Sequence, residues 1–308
     1  MNALLLSLRH LLRSTRLIGL LYGITLVLGL LVALPFYSTL QAEDQDSRAF
    51  LNLLDGFDYT VYADFMQRSE RVIDPLLSVG RWLGVLFVFL SVFLAGGILN
   101  IFAQPSRRFD AGLFWQVCTA YFGRFLQLLG VTTLFLLVGA GLWLVAGLLV
   151  GIVLSDTLTE RGLFWVGLGF FSLFALTATL LFCIGDYAKV IMFRDDEPNA
   201  FRAFGRAGRL VMRNLPRTYG LYWLFIGIGA ALFGLYFLID GLIPMRNTPT
   251  ILLMFLVQQA LVLARTALKA WALGTAYQVY LSLPAPVRTV LPSQADLTVI
   301  QPGQPDPY

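Results

Sequence analysis

A single histidine, His10, and two cysteines, Cys118 and Cys183, are all that this 308-residue chain offers to a soft or borderline metal ion. That is too few for a zinc site or an iron–sulfur cluster within one protomer. Charge is scarce as well: 13% of residues are Asp, Glu, Lys or Arg, against roughly 25% in an ordinary soluble domain. Long windows carry none, and 58% of the chain is hydrophobic, more than an internal core absorbs. Catalytic patterns are missing too. No HExxH, GxSxG, Walker A or paired-carboxylate arrangement occurs in a span or loop. His10 stands among arginines, where it reads as an interfacial side chain rather than a base. The chain is therefore expected to be no enzyme and to use no metal or cofactor. It has no nucleic-acid recognition motif either, so the net charge of +4 reads as a topology signal, and no nucleic-acid partner is expected.

What the chain does have is six apolar windows, at about 17–40, 76–102, 125–154, 162–184, 218–239 and 250–271. Each reaches or exceeds the roughly 20 residues that carry a helix across about 30 Å of hydrocarbon. Alternation of period two is absent and the windows are far longer than barrel strands, so a helical bundle is the spanning solution that fits. The fold class expected is all-α: a polytopic bundle of six transmembrane helices over residues 1–283, followed by a disordered tail at 284–308 with six prolines. The first window is longer than the apolar core of a signal peptide, and Leu40 stands where a small residue precedes a cleavage site. It reads as a retained span. The segment Gln41 to Pro75 mixes acidic and apolar residues and is expected to form one or two short helices outside.

Orientation follows from the basic residues. With the N-terminus inside, 14 of the 22 Lys and Arg fall on the cytoplasmic side and six on the other, with Arg265 and Lys269 in or at the edge of the last span. Both termini are expected in the cytoplasm of a bacterial inner-membrane protein. That placement keeps Cys118 and Cys183 on the reducing side, where they serve as small buried hydrophobes rather than a disulfide.

The densest basic stretch is the loop before the fifth window. Arg202, Arg206, Arg209 and Arg213 recur at helical spacing, with Phe201, Phe204, Gly208, Val211 and Leu215 on the other side. Asp195, Asp196, Glu197 and Pro198 mark its start. Such a helix is expected to lie in the inner interface, apolar residues in the acyl boundary and arginines on lipid phosphate. A second one is expected near the N-terminus, where Arg9, Arg13 and Arg16 oppose Leu5, Leu8 and Leu12, and a third at "RRFDAGLFWQVCTAYFGR". These lead into "RLIGLLYGITLV", "RTYGLYWLFIGI" and "RFLQLLGVTTLF". The pattern reads as three helical hairpins, each preceded by a basic amphipathic in-plane helix, with Arg16, Arg124 and Arg217 in register.

Two stretches, "DYAKVIMFRDDEPNAFRAFGRAGRLVMRNLPRTYGLYWL" and "RTALKAWALGTAYQVYL", resemble a set of uncharacterised bacterial six-helix membrane proteins. That set includes the membrane domain fused to some glycerophosphodiester phosphodiesterases. The resemblance implies an inner-membrane location and a three-hairpin bundle but no reaction, because the hydrolase domain is not in this chain.

Ionisable residues inside spans are costly and are the first place to seek function. Arg265 and Lys269 share a face of the last helix, and Asp186 lies at the end of the fourth. The sequence predicts a polar cluster of Asp186, Arg265 and Lys269, with Gln258 or Gln259 higher on the last helix. Two readings stay open: a lock between the fourth and sixth spans, its cations snorkelling to phosphate, or a cavity for an anionic headgroup or solute. The expected partners are membrane lipids through their anionic headgroups, and other membrane proteins or a second copy. A transporter for an anionic or amphipathic solute is the alternative. The glycine pairs Gly19/Gly23 and Gly147/Gly151 read as close-packing positions.

Overall fold

Apolar runs without a polar break become helices longer than a bilayer requires. The structure, a computed structural model, describes residues 2–43, 59–60, 63, 70–105, 109–243 and 247–283. The expectations for most of the Gln41 to Pro75 segment and for the 284–308 tail lie outside the described residues. Eight helices account for nearly all of the rest: α1 (Asn2–Arg13), α2 (Thr15–Glu43), α3 (Glu70–Ala103), α4 (Ala111–Leu154), α5 (Glu160–Arg194), α6 (Ala200–Arg213), α7 (Leu215–Leu242) and α8 (Thr248–Ser282). No strand occurs among the described residues. Six helices, α2 to α5, α7 and α8, are long and apolar enough to cross a membrane, one for each expected window. The chain is an integral, multi-pass membrane protein with an all-α fold.

Several of these helices overshoot. α4 has 44 residues, about 66 Å at 1.5 Å per residue, where about 30 Å of hydrocarbon needs crossing. The excess over the expected windows lies in residues 111–124 of α4, 185–194 of α5 and 272–282 of α8, and these extensions carry much of the core. Phe114 and Cys118, Tyr187, Ala188 and Val190 to Met192, and Leu273, Ala276, Tyr277 and Val279 are buried with the end of α3 (Val92, Leu94, Leu99 and Phe102) and with Leu11, Leu17 and Leu21. Both cysteines are buried and free. Consecutive spans pack on one another, α2 on α3, α4 on α5 and α7 on α8, while α8 also touches α1, α2, α3 and α5.

The three basic segments follow different courses. Ser14 separates α1 from α2, and Asn214 separates α6 from α7, whose Pro216 sits in the first turn where no hydrogen bond is lost. Between Ala111 and Leu154 no proline intervenes, so the segment before the third window is the start of α4 itself rather than a separate helix. Its start is fixed by Asp110, whose side chain accepts from the Gly112 and Leu113 N–H groups at 2.9 and 3.4 Å. α1 is fastened to α8: Ser7 Oγ lies 2.8 Å from Thr275 Oγ1, and Trp271 Nε1 donates to Ser7 Oγ at 3.1 Å and to the Leu4 carbonyl at 3.2 Å. Ser7 and Leu11 form that buried face, while Leu5 and Leu12 are exposed. His10, one turn beyond Ser7, has its Nδ1 buried without a hydrogen-bond partner.

Close approach of helices rests on other glycines than the expected pairs. A Cβ on Gly97 would fall 2.3 Å from the Phe114 ring, and one on Gly274 would fall 2.2 Å from Phe102. These two positions let α3 meet α4 and α8 with an aromatic ring laid on bare backbone. Gly19, Gly23 and Gly151 have nothing within 4 Å, and Gly147 alone of the expected four meets a neighbour, the Phe170 side chain at 3.3 Å.

Candidate functional site

Arg265 and Lys269 are four residues apart on α8, so their side chains leave the same face one turn apart. That face looks into a cavity of about 440 Å³ between α2, α3 and α8. Its walls are apolar, with Leu21 and Ile24 from α2, Phe87, Leu90, Leu94 and Ile98 from α3, and Val262 and Ala270 from α8. The polar groups in it are the two cations and three hydroxyls, Thr25, Ser91 and Thr266; no carboxylate lines it. Lys269 Nζ donates to Ser91 Oγ at 2.6 Å and lies 5.2 Å from the centre of the Phe87 ring. The Arg265 guanidinium lies 4.8 Å from the centre of the Phe233 ring on α7. Thr25 and Thr266 donate to carbonyls of their own helices, Leu21 and Val262. Their oxygens keep lone pairs but no proton for the cavity.

The structure divides the predicted polar cluster. Arg265 and Lys269 stay together, but Asp186 meets α8 one to two turns nearer its C-terminus. There it lines a separate cavity of about 20 Å³ with Thr218 and Tyr222 of α7 and Ala272, Thr275 and Ala276 of α8. Its ion pair is with Lys189, 2.8 Å away and one turn along α5. Gln259 accepts from the Tyr22 hydroxyl at 2.8 Å, tying α2 to α8 beside the cavity. Gln258, on the next position around the helix, is exposed.

The basic helices divide in a similar way. Arg9 and Arg13 of α1, Arg16 of α2, and Arg202, Arg209 and Arg213 of α6 are exposed, and none forms an ion pair among the described residues. Arg206 does not belong with them. It turns back on the connection between α5 and α6 and pairs with Asp195 and with Glu197, the latter at 3.5 Å. Tyr280 of α8 donates to the same Asp195 at 3.1 Å, and Arg124 of α4 pairs with Asp196. Asp196 adopts a left-handed backbone, φ 52°, which a short polar side chain tolerates where the chain reverses. The acidic run expected to start α6 is thus a clasp for α4, α6 and α8, and Asn199 caps the helix by accepting from the Arg202 N–H at 3.2 Å.

The apolar face of α6 also differs from expectation. Phe204 and Val211 are buried with Ala203 and Ala207, on a helix that packs against α4, α5 and α7. Phe204 stacks on Phe135 of α4 at 4.9 Å. The two alanines bring the helix close enough for that face to seat on protein rather than in the acyl boundary. Phe201 and Met212 remain exposed.

Ser91, Thr25 and Thr266 were not among the expected site residues. For Ser91 a signal existed: it is the one hydroxyl in the apolar run from Trp82 to Phe102. Among known protein families no family model matches the chain, and neither the curated proteins nor the solved structures gave a match. The site has to be read from its own chemistry.

Proposed function

We propose that this is a non-enzymatic integral protein of a bacterial inner membrane that interacts with anionic lipids, with both termini cytoplasmic. One observation carries the reading: the exposed arginines of α1, α2 and α6 lie at the packed end of the bundle without a carboxylate partner among the described residues. Each basic side chain near an anionic leaflet contributes about 1 kcal/mol, so lipid phosphate is the counter-charge that these residues can use. The resemblance of the 186–224 and 265–281 stretches to other bacterial six-helix membrane proteins agrees with this location and adds no reaction.

The test is the melting temperature in nanodiscs. Replacing zwitterionic lipid partly by anionic lipid should raise it for the wild type, and the triple variant Arg202→Gln, Arg209→Gln, Arg213→Gln should lose much of the rise. An equal rise in both proteins would sink the proposal. A transporter for an anionic or amphipathic solute would use the cavity at Arg265 and Lys269 instead. Transporters commonly break their helices at such a level, whereas α2, α3 and α8 run past it unbroken. Uptake of labelled organic anions into proteoliposomes, lost on Arg265→Gln, would favour that second reading.

A further inference from the structure

We infer that the cavity between α2, α3 and α8 binds a membrane-resident anionic amphiphile, its phosphate or carboxylate between Lys269 and Arg265 and its hydrocarbon tail along Leu21, Ile24, Leu90 and Leu94. The inference rests on the chain spanning a membrane, and not on the lipid contacts proposed for the surface arginines.

Depth is the first argument. Ser91 lies near the centre of the apolar stretch Leu77–Ala103, and Thr25 at the centre of Thr15–Pro35. Lys269, hydrogen-bonded to Ser91 at 2.6 Å, therefore holds its ammonium at mid-height of the neighbouring spans. A cation at that level is costly even on the most lenient insertion scale.

Direction is the second. Side chains on a helix lean toward its N-terminus, which on α8 is the end away from the packed, basic end of the bundle. Lys269 follows that lean. It touches Ser91 and then Phe87, one turn further from the packed end. A snorkelling lysine would reach the other way, toward the near interface. The cation is aimed into the bilayer.

Unmet charge is the third. An ammonium has three donors and a guanidinium five. Lys269 spends one on Ser91 and rests on Phe87, and Arg265 rests on Phe233 with no hydrogen bond in the described structure. The carboxylate expected to join them, Asp186, is engaged by Lys189 and lines a different cavity. Two cations at the open edge of an apolar cavity without a lining anion form half of a charge-assisted contact.

The walls supply the remainder of the ligand's description. They are mainly aliphatic, and the volume, about 440 Å³, lies within the range of small-ligand sites, about 300–1,000 Å³. Phe87, Arg265 and Lys269 are exposed at its margin, so the site opens sideways and a tail can continue into the surrounding lipid. Entry is lateral, from the membrane.

Native mass spectrometry of the full chain in mild detergent tests this, with phosphatidylglycerol, phosphatidylcholine and inorganic phosphate as three separate probes. Phosphatidylglycerol should form one adduct that phosphatidylcholine does not. The double variant Arg265→Gln, Lys269→Gln should bind it at least about tenfold more weakly, the loss of one charge-assisted contact. The surface triple variant of α6 should keep it. Ile24→Trp fills the tail region without touching a charge and should also abolish the adduct, which decides the matter if the double variant fails to fold. Retention of the adduct in Ile24→Trp or in a folded double variant would overturn the inference. So would equal binding of phosphatidylcholine, or binding of inorganic phosphate as tight as that of the lipid, which would make it a site for free anions. Loss in the surface triple variant alone would move the lipid to the basic face and leave the cavity without it.

Discussion

Between Phe114 and Thr132, α4 buries six side chains; between Leu134 and Val153 it buries none, and most of its large residues are exposed. The same division runs through the bundle. α5 is buried only from Cys183 onward, α7 only at Thr218 and Phe225, and α8, apart from Met254, only from Ala270. One end is held by interlocked side chains, buried hydroxyls and an acidic clasp, while the other leaves its apolar faces to lipid tails. Lipid is as apolar as leucine, so exposing that half in a bilayer carries no hydrophobic penalty and gives it no hydrophobic reason to close. Stability and shape should therefore be governed by the packed end.

The largest test of that contrast truncates a large apolar side chain at each end. Phe102→Ala removes a ring that is 1% exposed and should cost about 3–5 kcal/mol by analogy with buried aromatics elsewhere. Leu148→Ala at the open end, 59% exposed, should cost less than about 0.5 kcal/mol. Unfolding in mixed micelles measures both, and equal losses would show that the open half is packed after all. A smaller effect with a change of sign comes from glycine. Gly274→Ala would drive a methyl into Phe102 and should destabilise by about 1–3 kcal/mol. Gly151→Ala meets nothing within 4 Å and should be neutral or stabilising by up to about 1 kcal/mol through helix propensity. Smallest is the tie between α1 and α8. Thr275→Val removes one of the hydrogen-bond partners of Ser7 and should cost about 1 kcal/mol, with faster amide exchange confined to residues 2–13. Exchange that rises across α3 or α5 instead would mean that the hydroxyl supports the whole packed end.

How much of this was legible in the sequence depended on whether the governing constraint was the bilayer or a neighbour. The six spans were, because hydrocarbon thickness sets their minimum length, and so was the common face of Arg265 and Lys269, because helical spacing alone decides it. The partner of Asp186 was not. Whether it meets α8 at Lys269 or at Ala276 is a matter of register between α5 and α8, which no spacing within either helix records. Arg206 looked the same as Arg202 and Arg213 on a helical projection, and only the path of the chain through Asp195 to Glu197 turns it inward. The glycines make the same point. Gly19 and Gly23 have the pattern of a contact face without a neighbour, while Gly97 and Gly274 have the neighbour without the pattern.

The unbroken course of α4 makes it a lever. Beyond Thr132, its last fully buried residue, another 22 residues to Leu154 run about 33 Å without a break, held to α5 by Trp143 Nε1, which donates to Thr177 Oγ1 at 3.0 Å, and by Phe170 against Gly147. A change in tilt of about 5° at that fulcrum swings the far tip by roughly 3 Å over the same length. The long arm is shared with α5, so a torque that the membrane applied to this pair of helices would be felt at the short arm, where Phe114 lies on Gly97.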